Sequence, residues 1–330
     1  MIFEIFMDLL SPKTIKELLN KYGAAPLKQM GQNFLINRGV LQKIICAANL
    51  DREDTVLEIG PGLGQMTQEL AKRVKKVIAI EKDKKFVEIL KETLKEYKNV
   101  EVIQDDILKT KKLKLLTKNY KLIANLPYYI TSPVIRKFLE IENKPKEMIL
   151  MVQKEVAQRI CACPPSLRSG AGRRAKPPQM SLLAVSVQFY AQPKILGYAS
   201  KGSFWPQPKV DSAILRLKPY SDPNYDVKSR GDHVALREYT RIENSGERFR
   251  VMSGSAGLSA FRVLFFKIVK AGFSAPRKQL AGNLSKKLGI KKEVTDKIMQ
   301  KMGIDPKRRA ETLNVEDWIE LTKLLIEVLG

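Results

Sequence analysis

Residues 55–64 read TVLEIGPGLG. The first five are rich in apolar and β-branched residues, with Glu58 the one charged position, a composition that suits a short buried strand. The next five cannot prolong it. Pro61 has no N–H to give a ladder, and the glycines at 60, 62 and 64 let the backbone turn sharply and approach a ligand closely. From Gln65 to Val74 the apolar residues return at helical spacing. A strand, a glycine turn and a helix in that order open a βαβ unit, which makes the chain an α/β protein on a doubly wound parallel sheet.

Downstream the alternation repeats. KVIAI (76–80) is a strand ending in Glu81, followed by a helix over 84–97. VEVIQ (100–104) ends in Asp105-Asp106, and YKLIA (120–124) runs into NLPYYITSPVI (125–135), with a helix beginning near Ser132. EMILMV (147–152) is a further strand, and QKEVAQRI starts another helix. Upstream, helical spacing occupies 12–22 and 38–50, and MIFEIFMDLL (1–10) reads as the first turns of a helix rather than a signal peptide, being short, acidic and without a basic leader. LLAVSVQFY (182–190) and DSAILRLK (211–218) are expected to form an antiparallel edge hairpin around the loop GYASKGSFWPQPKV. Beyond Phe261 the chain is helical. Three regions follow: 1–218, the sheet domain with its N-terminal helices and a mobile loop at 161–179; 219–260, an inserted mobile linker; and 261–330, a basic helical domain.

Lys and Arg number 59 against 35 Asp and Glu, a net charge of +24. The excess is uneven: Arg262–Arg309 holds 14 basic and 3 acidic residues, a net +11. Such concentration predicts a polyanionic partner, with Arg277, Lys278, Lys286, Lys287, Lys307, Arg308 and Arg309 as candidate phosphate contacts. Cys46, Cys161 and Cys163 are too few for a disulfide framework and wrongly spaced for a zinc site, so a reducing cytoplasm and no metal are expected. No apolar run approaches the ~20 residues a bilayer requires. The one histidine, His233, lies in a Gly/Ser/Arg-rich stretch, which argues against His-based catalysis.

The strand ends carry the chemistry. Glu81 stands 21 residues after Gly60, where a carboxylate can accept both hydroxyls of a ribose. Asp106 ends the third strand in the same relation and can accept from an adenine amine. Both ends lie on the carboxyl edge of the sheet, where open α/β folds bind ligands. The glycine spacing is GxGxG rather than GxGxxG, and no basic residue follows it. An adenosine-containing cofactor without a pyrophosphate is therefore expected, and S-adenosylmethionine fits better than NAD.

NLPYY answers to that cofactor. Pro127 ends the strand and leaves an amide, a carbonyl and an aromatic ring on a stiff turn. An exocyclic adenine amine is a poor nucleophile because its lone pair is delocalised into the ring. The Asn125 side-chain oxygen and the Leu126 carbonyl can accept its two N–H groups and draw it toward a reactive geometry, while the Tyr128 ring stacks on the base. Phe204, in FWPQPKVDS (204–212), can clamp the other face of a flipped base. Methyl transfer from a sulfonium leans on a dry pocket and in-line positioning, so no strong base is needed.

GQNFLIN (31–37), EIGPGLG (58–64), the Glu81 strand end, QDDIL, NLPYYITSPVI, MVQKEVAQRI, FWPQPKVDSAILRL and FFKIVKAGFSAPRKQLAGNL together resemble the KsgA-type family of ribosomal RNA small-subunit adenine dimethyltransferases, over residues 15–218 and 261–330. The resemblance implies a class I, Rossmann-like S-adenosylmethionine-dependent methyltransferase core with a small C-terminal helical domain. It implies dimethylation of two adjacent adenosines near the 3′ end of small-subunit rRNA, acting as a monomer on that rRNA or a pre-30S assembly particle. By matching position, it implies Asn33, Leu35, Gly60, Glu81, Asp106 and Asn125 as cofactor residues, and Asn125, Leu126, Tyr128 and Phe204 at the target adenine. The chain departs from the pattern in its longer, Arg-rich 161–179 loop and in 222–258, which reads as an insertion; neither touches a motif. Two rivals remain: a large-subunit rRNA adenine methyltransferase of the antibiotic-resistance type, and a non-catalytic ribosome-assembly factor. The intact glycine turn and NLPY speak against the second.

Overall fold

The computed structural model describes residues 7–26, 32–111, 113, 119–164, 179–220 and 255–329. These fall into two compact units, one of the residues up to Gln158 with Ala191–Pro219, the other of Arg159–Tyr190 with the residues from Tyr220 onward.

The first unit is built on a seven-stranded sheet in the order β4-β3-β2-β5-β6-β9-β7. Its parallel strands are β2 (Thr55–Ile59), β3 (Lys76–Glu81), β4 (Val100–Gln104), β5 (Lys121–Asn125) and β6 (Glu147–Gln153). β9 (Ser212–Pro219) pairs antiparallel with β6, and β7 (Ala191–Ala199) with β9. The chain winds outward from β2 through β3 to β4, then returns to the other side of β2 as β5. The strand order thus reverses between β2 and β5, and a crevice opens beyond their carboxyl ends. β2 and β3 are covered on both faces, which is why they are mostly apolar along their length, Glu58 being the buried exception in β2.

The flanking helices are α1 (Pro12–Lys21), α2 (Arg38–Ala47), α3 (Gln65–Ala71), α4 (Lys84–Thr93), α5 (Thr131–Glu140) and α6 (Lys154–Ile160). Asn37 caps α2 by accepting from the Val40 N–H at 3.0 Å, and Asp83 caps α4 by accepting from the Lys85 N–H at 2.8 Å. α4 buries Phe86, Val87, Ile89 and Leu90 on one face. Gly64, at φ +93°, turns the chain into α3, and a Cβ there would press on Leu90, Thr93 and Leu94 of the α4 region at 3.2–3.3 Å.

Three expectations are corrected. LLAVSVQFY is not a strand but a helix, α7 (Leu182–Tyr190), in the second unit. A continuous apolar run fits a buried helix as well as a buried strand, and here Phe189 stacks on Phe265 at 4.3 Å in that unit's aromatic core. The outer strand of the hairpin is instead β7, which carries Pro193 and an irregularity between Ile195 and Gly197, both admissible on a sheet edge. As a consequence 159–190 groups with the C-terminal helices rather than with the sheet. Finally, of the helix expected over 1–10, residues 1–6 lie outside the described residues, and Met7–Leu10 are not helical but lead through a turn into α1.

The second unit also contains helices Ser255–Gly272, Leu280–Leu288, Lys292–Lys301 and Val315–Leu329. Its backbone is already helical from Ser255, so the expected linker ends earlier than residue 260. Phe265, Leu284, Trp318 and Leu325 are fully buried. Gly272 is there for space: a Cβ would stand 2.3 Å from the Trp318 ring. The expected mobile loop and insertion fall largely on 165–178 and 221–254, outside the described residues. Among the described residues no helix is long and apolar enough to cross a membrane.

Candidate functional site

A cavity of about 380 Å³ lies in the first unit. Its lining draws on the carboxyl ends of β2, β3 and β5 and on a two-stranded ribbon of β1 (Phe34–Leu35) and β8 (Phe204–Trp205). In the ribbon Leu35 pairs with Phe204 across 169 residues of sequence. Asn33, Leu35, Gly60, Glu81, Asp106, Asn125, Leu126, Tyr128 and Phe204, all nine residues singled out in the sequence, line this one cavity.

At the β2 end, Gly60 has φ +66° and nothing within 4 Å of where its Cβ would be, so a side chain there would enter open space. Gly62, at φ +59°, packs against the Phe34 ring. Glu81, at the β3 end, is 7% exposed. Burial raises its carboxyl above the ordinary range, while backbone N–H groups oppose the rise. Two of them, from Lys82 and Asp83, donate to Oε1 at 2.8 and 2.9 Å. One oxygen is therefore pinned and the carboxylate is oriented.

Asp106 is arranged differently. Burial works against its charge, but the Leu108 N–H and the Lys82 ammonium outweigh that and hold its carboxyl below the usual range. Oδ1 accepts from Leu108 N at 2.9 Å, and Oδ2 pairs with Lys82 Nζ at 3.1 Å. Each oxygen retains a lone pair for a further donor.

At the β5 end, Asn125 Nδ2 donates to the Asn33 carbonyl at 3.0 Å. A carbonyl only accepts, so this contact settles the amide's orientation and leaves Oδ1 as the acceptor. Leu126 is buried, and its N–H donates to the Met151 carbonyl. The turn that follows uses the Pro127 and Tyr128 carbonyls for its own bonds, which leaves the Leu126 carbonyl outside that ladder. The Tyr128 hydroxyl bonds the buried Ser212 hydroxyl at 2.9 Å, anchoring the ring to β9. Burial raises the Tyr128 hydroxyl's pKa, so it is neutral at physiological pH. Phe204 is 3% exposed and forms part of the wall.

Cavity residues given no role in the sequence reading include Glu58, Gln65, Lys82 and Tyr129. Glu58 stood in the quoted motif, but only the fold makes it 1% exposed. Of the basic residues proposed to meet phosphate, Arg277, Lys278, Lys286, Lys287, Lys307 and Arg309 are exposed. Arg308 is half-buried, with its guanidinium donating to Thr312 Oγ1 at 3.0 Å and to the Thr312 carbonyl at 2.6 Å.

Comparison with known proteins gives a family-model match, Ribosomal RNA adenine dimethylase, over residues 26–232. Among relatives, Ribosomal RNA small subunit methyltransferase A of Dehalococcoides mccartyi is 41% identical over 317 residues, covering 96% of this chain and 92% of its own. The protein of the same name from Clostridium botulinum is 39% identical, covering 95% and 99%. Among solved structures, a dimethyladenosine transferase from Plasmodium falciparum has TM-score 0.62 and 25% identity over 87% of this chain and 95% of its own. The 23S rRNA methyltransferase ErmE also has TM-score 0.62, with 22% identity over 89% and 99%, a likeness of fold.

Proposed function

The chain belongs to the ribosomal RNA adenine dimethylase family, and from that premise we propose that it dimethylates the exocyclic amines of two adjacent adenosines near the 3′ end of small-subunit rRNA, with S-adenosylmethionine as methyl donor. When bound, that cofactor supplies an electrophilic methyl group on a sulfonium. The cavity's residues suit it: a buried, oriented carboxylate for a ribose at Glu81, a second acceptor at Asp106, and a glycine at residue 60 whose missing side chain keeps the space open. Asn33 and Leu35 complete its proposed contacts.

The observation that carries the reading is the locked Asn125 amide. With Nδ2 committed to Asn33, Oδ1 and the adjacent Leu126 carbonyl form a pair of acceptors on one stiff turn. An adenine amine offers two N–H donors and fits that pair. Accepting both hydrogens favours a pyramidal nitrogen, whose lone pair is then available to the methyl group. The Tyr128 ring, held by Ser212, and the Phe204 ring stack on the base, at about 1–3 kcal/mol per ring. Both walls exclude water, which strengthens each polar contact inside.

One base carries too little affinity to select an rRNA. The exposed basic residues of the second unit supply a further surface for phosphates, in keeping with the +11 of Arg262–Arg309.

The test is to incubate the purified protein with labelled methyl donor and either small-subunit assembly particles or large-subunit rRNA, then map modified adenines by mass spectrometry. Two adjacent dimethyladenosines near the small-subunit 3′ end are expected, and their loss in Asn125→Ala. Label on large-subunit rRNA alone would replace the reading with the other adenine methyltransferase class. Binding of particles without any label would make the protein an assembly factor.

A further inference from the structure

Tyr128 and Tyr129 follow one another on a single 3-10 turn, Tyr128–Ile130, and both line the cavity. Tyr128 is half-buried, with its hydroxyl tied to Ser212. Tyr129 is 54% exposed. Successive residues of a 3-10 turn point about 120° apart, so a turn that sends one ring inward sends the next one out. A tyrosine exposed on its own needs no explanation. Of the five exposed large hydrophobic side chains among the described residues, however, Tyr129 alone lines the cavity. The charge there is lopsided as well. Five carboxyl groups, those of Glu58, Glu81, Asp83, Asp105 and Asp106, line the cavity with one basic residue, Lys82. A polyanion that brings a base into it enters an acidic site whose one cation is that lysine. The Lys82 side chain is 58% exposed, and its Nζ lies 3.1 Å from Asp106. The bond to Asp106 raises the Lys82 pKa and Tyr129 adds to the rise, so the ammonium is charged and within electrostatic reach of that residue.

A base drawn into the pocket leaves its neighbour in the strand without a stacking partner on that side. An aromatic ring at the mouth replaces the lost partner, and a cation beside it offsets the acidic lining for the phosphate that links the two nucleotides. Resting on the adenine reading above, we propose that Tyr129 and Lys82 seat the nucleotide next to the target adenosine: the Tyr129 ring stacks on its base, and the Lys82 ammonium meets the connecting phosphate. Every base has a π-face, so stacking does not depend on the hydrogen-bonding pattern of the neighbour. The seat therefore holds the second of two adjacent adenosines whether or not its amine already carries methyl groups. A platform that read the amine would lose its hold once the first adenosine had been modified. This is a positioning role, since neither side chain is assigned to the transferred methyl group.

The test removes the neighbouring base and keeps the target. Small-subunit assembly particles are prepared with a ligated synthetic 3′ segment of the rRNA in three forms: with both adjacent adenosines, or with one or the other replaced by an abasic nucleotide. Each form still offers a base to the pocket. In filter binding, wild type is expected to hold one of the two abasic forms ~5-fold or more weaker than the intact one. Tyr129→Ala is expected to bind all three forms within about twofold of each other, and Tyr129→Phe to keep the wild-type preference. Lys82→Gln is expected to keep the preference and to lower the log–log salt slope by up to ~1. Equal binding of the three forms by wild type would overturn the proposal. So would a Tyr129→Ala protein that is weakened on every form yet retains the preference, because the ring would then be shaping the turn instead of meeting a neighbour. An unchanged salt slope in Lys82→Gln would overturn the phosphate contact. If wild type binds none of the particles, the reading of the protein as an rRNA enzyme itself falls, an outcome distinct from the others.

Discussion

Glu58 should make the protein's stability depend on pH in a way that one substitution removes. Burial pushes its carboxyl up to about 8 from 4.5, and the Glu81 charge adds to the rise. The Thr67 hydroxyl lies beside it and works the other way without reaching hydrogen-bond geometry. The folded state therefore prefers the protonated acid, whereas the unfolded chain ionises near 4.5. The favourable contribution is fully present below pH 4.5 and is lost as pH rises toward about 8. Linkage between 4.5 and about 8 gives a loss of ~1 kcal/mol at pH 5, ~3 at pH 7 and ~5 at pH 9. Glu58→Gln cannot ionise, so it escapes the loss. Any packing difference of the amide is independent of pH and appears as a constant offset. Glu81, Lys82, Asp83, Asp105 and Asp106 share the cavity and are common to both proteins, so their titrations largely cancel in the comparison. Urea unfolding of the ligand-free full chain, followed by circular dichroism at pH 5, 7 and 9, measures the difference. The mutant should gain on wild type by ~2.5 kcal/mol between pH 5 and 7 and by a smaller ~1.4 kcal/mol between 7 and 9, as Glu58 begins to ionise in the folded state too. Parallel stability curves for the two proteins would refute the reasoning, since Glu58 would then ionise in the folded state as readily as in water.

Four further outcomes can be checked. Asn125→Asp places a carboxylate against the Asn33 carbonyl and removes the donor that orients the side chain; single-turnover methylation should fall at least ~100-fold, about 3 kcal/mol of barrier, with RNA affinity near wild type. Tyr128→Phe keeps the ring and loses only the bond to Ser212, so turnover should drop a few-fold, while Tyr128→Ala should abolish it. Lys286→Ala/Lys287→Ala should weaken RNA binding and flatten its salt dependence by up to ~2 in the log–log slope, leaving S-adenosylmethionine affinity unchanged in filter-binding and calorimetric series. Gly272→Ala drives a methyl into the Trp318 ring and should cost ~1–3 kcal/mol in denaturant unfolding, the usual penalty of overpacking.

Much of this protein was legible in order along the chain. The strand at 55–59, the glycine turn, the strand-end acids Glu81 and Asp106, and the Pro-stiffened NLPYY turn are local features. Each follows from backbone conformation, β-branching or a missing N–H within a few residues, and so sequence alone determined the α/β class and most of the cavity's rim. It failed at LLAVSVQFY, where every residue but Ser186 and Gln188 is apolar or aromatic and no period separates strand from helix. Only the partners of that run, Phe265 and Phe266 more than seventy residues away, made it a helix, and the edge strand passed to the less apolar 191–199. The orientation of the Asn125 amide, the anchoring of Tyr128 and the depth of Glu58 and Gln65 were likewise decided by tertiary structure. Asn33 and Asn125 lie 92 residues apart, and Tyr128 and Ser212 lie 84 apart. A residue's type states what bonds it can make; burial and the neighbour across the sheet, both set by long-range packing, state which of them are made and which are left for a ligand.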